Sequence, residues 1–425
     1  KKCKVCTELT LLLAAVGAII AHLILPMGED PRSALPFTEI VRHVVEGTFN
    51  YFDVCLTFLT ATFFMTLYKE AGGVNYTVRQ IVGRVGMIES VDSLRLLTVV
   101  MMVPGAVTGS GATTVLTVGG LVGAVLAAMG VNEDRRVALI FLLAAMSAAC
   151  PPINLWAMMA AAGANMPFVG FTWPLLILSG VGALVSTFYL TRGVRNTKPV
   201  EEVLGTLPEA PDGWNAIRAF VPFVVMIVLI MGARIFPAWW PVFGLPMIFM
   251  ISAGAVLICS PKKVKVMEIA VTTVQNLKEL VGIMVVVGIL NQTLTLTGAR
   301  GLISLAVVIL PIWLLFAALW LILPVAEGVL QYAVAPLFGV PLIMLFNMLG
   351  YNPVVALSCW SVMWPVGDCL PPTAVVGRAA VMEMNYKGNY YKGLVKNALV
   401  PMLVILALCT ITMIFNKPVG DLLGV

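Results

Sequence analysis

Two apolar stretches of this chain are broken by tandem prolines, and the breaks lie 220 positions apart. The first stretch runs from Met129-Gly130-Val131-Asn132 to Cys150-Pro151-Pro152-Ile153-Asn154. The second runs from Leu349-Gly350-Tyr351-Asn352 to Cys369-Leu370-Pro371-Pro372-Thr373. Proline lacks an amide hydrogen and its ring clashes with the preceding turn, so each pair strips hydrogen-bond partners from nearby backbone. Hydrocarbon cannot replace them. Irregular backbone at membrane depth is tolerated only where it is enclosed by protein or lines a water-filled cavity.

The chain is apolar enough for that argument to apply. Hydrophobic residues make up 60% of 425 positions and charged residues 11%, against roughly 25% charged in a soluble domain. Runs of about twenty apolar residues recur, which predicts an all-α polytopic membrane protein. Basic residues such as Lys262-Lys263-Val264-Lys265 lack interleaved aromatics. They read as membrane-flanking charge, not as nucleic-acid contacts. The eight cysteines lie in mostly apolar sequence, where thiols pack as small hydrophobes. Cys3 and Cys6 have metal-like spacing, but no second pair stands nearby. The chain begins at Lys1, so further residues are expected ahead of it, and residues 9–25 read as a first membrane element, not a cleaved signal.

Residues 1–191 form a first unit, with apolar runs at 9–25, 51–67, 94–129, 137–162 and 173–190. A polar linker over 192–215 holds Pro199, Pro208 and Pro211. The second unit, 216–425, has runs at 219–231, 239–258, 269–290, 301–323, 329–349, 354–380 and 398–415. As one helix, residues 94–129 would span about 54 Å against a hydrocarbon core of about 30 Å. Pro104-Gly105 and Thr108-Gly109-Ser110-Gly111 interrupt this run. A re-entrant hairpin over about 94–129 resolves the excess, followed by a discontinuous helix over about 137–162. A second hairpin over about 312–349 and a second discontinuous helix over about 354–380 follow from the breakers Pro324, Gly328, Pro336, Gly339 and Pro341.

Sliding the halves by 220 positions superposes Pro104 on Pro324, Gly119 on Gly339, Gly130 on Gly350, Asn132 on Asn352 and Pro151-Pro152 on Pro371-Pro372. All of these residues break or cap helices, and they occur in the same order; the alternative is the ordinary glycine and proline enrichment of membrane helices. If each copy crosses an odd number of times, the repeats are inverted, the pseudo-symmetry on which alternating access depends.

Thr108, Gly109, Ser110, Gly111, Thr113 and Thr114 form the densest small polar cluster in an apolar context. A glycine-rich tip lets carbonyls converge on a hard cation, and a half-helix N-terminus offers amides to a carboxylate. The alternative is a small-residue packing seam. Carbonyls opened at Pro151-Pro152 and Pro371-Pro372, with Asn154 and Thr373, supply further oxygen ligands. Glu327 and Asp368 are the acids set deepest in apolar sequence. Each must be paired, hydrated, cation-bound or protonated, since an isolated charge there costs about 2.5–3.5 kcal/mol on insertion scales. For Asp368 the competing reading is a structural acid bonded to backbone amides, and for Glu327 an interfacial position. Arg378 either meets an anionic substrate or snorkels to the surface.

No glycine-rich loop closes on Lys-Ser/Thr, so ATP-driven pumping is unsupported. Neither histidine, His22 or His43, has a neighbouring nucleophile and acid in a hydrolytic pattern. The expectation is transport driven by an ion gradient, with no enzymatic activity. Rival expectations are a cation/proton antiporter using Asp368 and a non-transporting membrane scaffold.

Thr108-Gly109-Ser110-Gly111, Gly130-Val131-Asn132 with Pro151-Pro152, and Gly350-Tyr351-Asn352-Pro353 with Gly367 and Pro371-Pro372 carry a resemblance spanning nearly the whole chain. The sequence resembles the large membrane subunit of tripartite ATP-independent periplasmic (TRAP) transporters, within the ion-transporter superfamily. The resemblance implies an elevator-type carrier in the bacterial inner membrane, with inverted repeats, two hairpins and a scaffold arm. It implies sodium-coupled uptake of an organic acid, with protons as the alternative coupling ion. The implied partners are a small four-helix membrane subunit, a periplasmic substrate-binding protein, the organic anion and lipid. The expected cation-binding positions are Thr108, Gly109, Ser110, Gly111, Pro151, Asn154, Gly328, Gly367, Asp368 and Thr373. The expected substrate positions are Ser110, Thr113, Asn154, Glu327, Thr373 and Arg378. The second hairpin, Glu327-Gly328-Val329-Leu330-Gln331, lacks the threonine run of that family, while Asp368 and Cys150 also depart from its pattern. The number and identity of ions stay open, and so does a standalone carboxylate symporter.

Overall fold

The computed structural model describes residues 7–24, 36–85, 91–193, 205, 208–235, 239–241, 243–299, 312–371 and 373–425. Cys3, Cys6, Pro199, Pro372, much of the 192–215 linker and residues 301–311 lie outside that set. All described elements are helical. Four helices among the described residues are long and apolar enough to cross a membrane, and a bent pair raises the number to five. The chain is a multi-pass membrane protein.

The helices fall into two packed groups. In the first, Thr7–Ile24 and Phe37–Phe49 pack on Val266–Leu296, while Leu245–Cys259 packs on Phe52–Glu70 and Ala216–Ile235. Gly47 and Gly288 let two of these helices touch backbone to backbone, for a Cβ on Gly288 would sit 2.2 Å from the Gly47 carbonyl oxygen. Small residues allow such approaches where lipid supplies no hydrophobic drive between helices. The amphipathic stretch 264–280 belongs to the helix Val266–Leu296, which bends by 44° between Val266–Lys278 and Leu280–Leu296.

The second group contains both hairpins. Val91–Thr108 enters, turns at Gly109-Ser110 and returns as Gly111–Thr114, a π-helical turn Val115–Gly119, and Gly120–Ala128. Gly109 has φ of +68°, a conformation that costs about 1–2 kcal/mol for a residue with a Cβ. Glu133–Ala149 follows, breaks at Cys150-Pro151-Pro152-Ile153, and resumes as Leu155–Gly163. In the second half Ile312–Leu330 enters, turns through Gln331–Ala333, and returns as the π turn Ala335–Gly339 and Val340–Met348. Pro353–Met363 then breaks through 364–374 and resumes as Val375–Glu383. The helices Thr172–Leu190 and Lys396–Ile414 pack around these pieces.

The halves share their irregularities at a spacing of 220. The π turns Val115–Gly119 and Ala335–Gly339 correspond, as do Gly120–Ala128 with Val340–Met348 and Leu155–Gly163 with Val375–Glu383. Gly130 and Gly350 both have positive φ, and so do Asn165 and Asn385. Asn132 and Asn352 each cap the helix that follows, accepting from Asp134 and Val354 amides. Among the described residues three helices do not stand out as apolar runs in the sequence, Phe37–Phe49, Gly73–Val85 and Asn416–Leu423. The first carries Glu39, Arg42, His43 and Glu46 on one amphipathic helix, with Arg42 Nε donating to Glu46 Oε1 at 2.8 Å.

Candidate functional site

Each broken helix is stitched to the hairpin of its own half. The residue after each proline pair makes the stitch: Ile153 donates its amide to the Ala106 carbonyl at 3.1 Å, and Thr373 donates to the Gly328 carbonyl at 3.1 Å. The Thr373 hydroxyl donates to the same Gly328 oxygen at 2.8 Å. Glycine at 367 is required by crowding, because a Cβ there would lie 1.9 Å from the Pro324 carbonyl oxygen. Position 147, its counterpart at the 220 spacing, is a serine facing Gly105 instead.

At the first tip the hydroxyls form a buried chain. Thr108 Oγ1 donates to the Pro104 carbonyl at 2.8 Å, Ser110 Oγ accepts from the Thr113 amide at 3.3 Å, and Thr114 Oγ1 pairs with Ser147 Oγ at 2.8 Å. Asn154 is fully buried and braces the break, accepting from the Ala157 amide at 2.8 Å and donating to the Ala149 carbonyl at 2.9 Å. Pro152 cannot supply the amide that the Ala148 carbonyl would take in a continuous helix.

The second break satisfies itself more completely. Carbonyls of Trp364, Pro365, Gly367 and Asp368 accept the amides of Gly367, Asp368, Leu370 and Gly377, and the Cys369 carbonyl accepts the Tyr390 hydroxyl at 2.8 Å. Its chemistry therefore resides in side chains. Asp368 is 3% exposed and Glu327 is 1% exposed. Asp368 Oδ1 accepts the Val375 amide at 3.1 Å, at the positive end of the helix Val375–Glu383.

Contacts across the halves bring both tips and both breaks to one place. The Trp156 indole, just past the first break, donates to Glu327 Oε2 at 2.9 Å. Its ring packs on Tyr332 with centroids 4.9 Å apart, and the Tyr332 hydroxyl lies near Ser110. Asp368 lies close to both Glu327 and Tyr332. Gly111 faces Val376 of the second broken helix. Ser110, Glu327 and Asp368 are thus gathered in one buried polar cluster, with Thr373 tied to Gly328 beside Glu327. Thr113 and Pro151 are partly buried, and Arg378 is exposed on Val375–Glu383. Trp156 and Tyr332 hold the network together. The sequence signal for Trp156 was an aromatic residue two positions after the capping Asn154, in a stretch otherwise read as small and apolar.

No protein-family model matches the sequence, and no curated protein is significantly similar to it. Solved structures do match over nearly the whole chain. Neisseria gonorrhoeae MtrF, described as illuminating a class of antimetabolite efflux pumps, is 14% identical with a TM-score of 0.65, over 96% of this chain and 95% of MtrF. The Alcanivorax borkumensis YdaH transporter, described as having an unusual topology, is 11% identical with a TM-score of 0.66, over 97% and 99%. The chain has the fold of these two proteins. At such identities the likeness concerns the fold alone.

Proposed function

We propose that this protein is a cation-coupled secondary transporter of a small organic anion. The observation that carries the reading is the convergence of two hairpin tips and two broken helices on one buried polar network. Its fold is shared with MtrF and YdaH, both described as transporters or pumps, which supports a membrane transporter at the coarse level. In this reading 1–191 and 216–425 are inverted repeats, joined by the 192–215 linker. The hairpin group moves as an elevator against the first helix group.

Sodium is the proposed coupling ion, with protons as the alternative. Its oxygen ligands come from Thr108, Gly109, Ser110, Gly111, Pro151 and Asn154 at the first tip and break. At the second break Asp368 and Thr373 contribute side-chain oxygens, with Asp368 the principal negative charge, while Gly328 and Gly367, whose carbonyls already accept from Thr373 and Leu370, shape the site. The substrate carboxylate lies between the tips, against Ser110, Thr113, Asn154 and Thr373, with Glu327 fixing the far wall and Arg378 guiding anions toward it. Two buried acids in one network repel an anion unless a cation or proton neutralises them. That repulsion makes cation loading precede substrate binding, which is coupling.

Uptake as the large subunit of a TRAP system is the reading that the sequence motifs favour, with a small membrane subunit and a periplasmic binding protein as partners. The full-length match to MtrF, described as an efflux pump, favours a second reading: a carrier that moves its anion alone and outward. Reconstitution tests both. Purified protein in proteoliposomes is assayed for flux of a panel of labelled carboxylates under imposed sodium or proton gradients. Gradient-driven flux without other proteins supports the standalone carrier, flux only with both partners added supports the TRAP system, and flux under no condition overturns the transporter reading.

A further inference from the structure

Between the two helix groups lies a cavity of about 720 Å³ that shares only Pro151 with the proposed transport site. One wall is the outer face of the first hairpin and break: Val100, Val103, Val107 and Pro151-Pro152. The other wall belongs to the helices Phe52–Glu70, Gly73–Val85 and Ala216–Ile235. The lining is almost wholly carbon. Of its few polar side chains, the Tyr68 hydroxyl pairs with Thr77 Oγ1 at 2.9 Å and lies 3.2 Å from the Ala219 carbonyl, while Thr77 Oγ1 donates to the Gly73 carbonyl. An apolar void of this kind has no polar partners to hold water, and left empty its walls lose dispersion contacts.

Three features identify the occupant. The cavity is open sideways, since Val99, Phe220 and Ile227 line it and are also 57%, 55% and 53% exposed on the membrane-facing surface. Its length along one helix, from Phe220 to Met231, is about 16 Å at 1.5 Å per residue, close to half the hydrocarbon thickness of roughly 30 Å. Near its Phe220 end Arg218 donates to the Gly213 carbonyl beside Asp212, and Arg79 donates to the Pro208 carbonyl beside Glu209. One leaflet's depth of apolar groove with charges of both signs at one end matches one phospholipid, acyl chain inside and phosphate at Arg218. We propose that this cavity is a phospholipid site wedged between the first hairpin and the scaffold helices. A chain seated there sets the spacing across which the hairpin group must slide.

The site does not depend on which solute is carried, so it is tested apart from transport. The protein is placed in nanodiscs containing a trace phospholipid with a diazirine at mid-chain, irradiated, digested and mapped by mass spectrometry. Labelling of residues 99–107 and 220–231 is expected severalfold above the lipid-facing control at Leu399–Val404. Ile230→Trp, which fills the cavity, and Arg218→Glu, which reverses charge at its mouth, each lower that labelling severalfold and leave the control unchanged. Wild-type labelling no higher than the control overturns the site. Loss with Ile230→Trp but not with Arg218→Glu overturns the phospholipid assignment, because the phosphate would then have no role in anchoring.

Discussion

Trp156 and Glu327 stand 171 positions apart, yet the indole of the first donates to the carboxylate of the second at 2.9 Å, with both side chains buried. The bond ties the first broken helix to the second hairpin, so neither half can shift alone without exposing a buried acid. Trp156→Phe keeps a ring against Tyr332 and removes only the donor. Leaving a buried acceptor without its donor costs about 1–3 kcal/mol. The expected outcome is a lower thermal unfolding midpoint in detergent and a fall in flux, whereas an unchanged midpoint would mean that Glu327 has another donor.

Gly109→Ala tests the first tip. The new Cβ would meet Ile153 Cγ2 at 2.8 Å and Leu155 Cγ at 2.9 Å, atoms close to the backbone of two fully buried residues, in a residue with φ of +68°. A cost of about 1–2 kcal/mol is expected from the backbone alone. Because Gly109 turns the tip, the sodium concentration for half-maximal flux is expected to rise while the protein remains folded.

Asp368 holds a helix amide and carries charge, and two substitutions separate these roles. Asp368→Asn keeps an oxygen acceptor for the Val375 amide, bonded at 3.1 Å in the native protein, and is expected to leave stability within about 1 kcal/mol. Asp368→Ala removes the acceptor as well and is expected to cost about 1–2 kcal/mol, as for a lost helix cap. Loss of cation-dependent flux in both variants assigns coupling to the charge. Loss in the alanine variant alone assigns Asp368 a structural role.

Thr373→Val removes the hydroxyl bond to Gly328 and leaves the amide bond to the same oxygen. A cost of about 1 kcal/mol is expected. Native-state hydrogen exchange of the Thr373 region should quicken without the whole domain opening. Uniform destabilisation across the chain would contradict a local stitch.

The hairpins and breaks were legible because their signals are local: tandem proline, glycine tips and a run too long for one crossing. The shared turns and caps at a spacing of 220 were legible at Asn132/Asn352 and Gly130/Gly350 because caps and turns demand particular residue types. The network was legible only in part. Ser110, Glu327, Asp368 and Thr373 announce themselves as polar groups in apolar sequence. Trp156 and Tyr332, which join them, do not, since an aromatic in a membrane helix ordinarily packs or lies at an interface. Self-satisfaction of the second break was illegible too. It depends on amides folding back onto carbonyls through 364–374, which the residue types there do not dictate.

The account rests on main-chain and side-chain oxygens at the tips and breaks receiving a cation. The most direct measurement is a pair of high-resolution maps of the protein in nanodiscs, one with sodium and one with choline replacing it. The account predicts ion density ringed by oxygens of the Thr108–Gly111 tip and the Pro151–Asn154 break, present in sodium and absent in choline. Identical maps, with those oxygens enclosed by packed carbon in both, would contradict it.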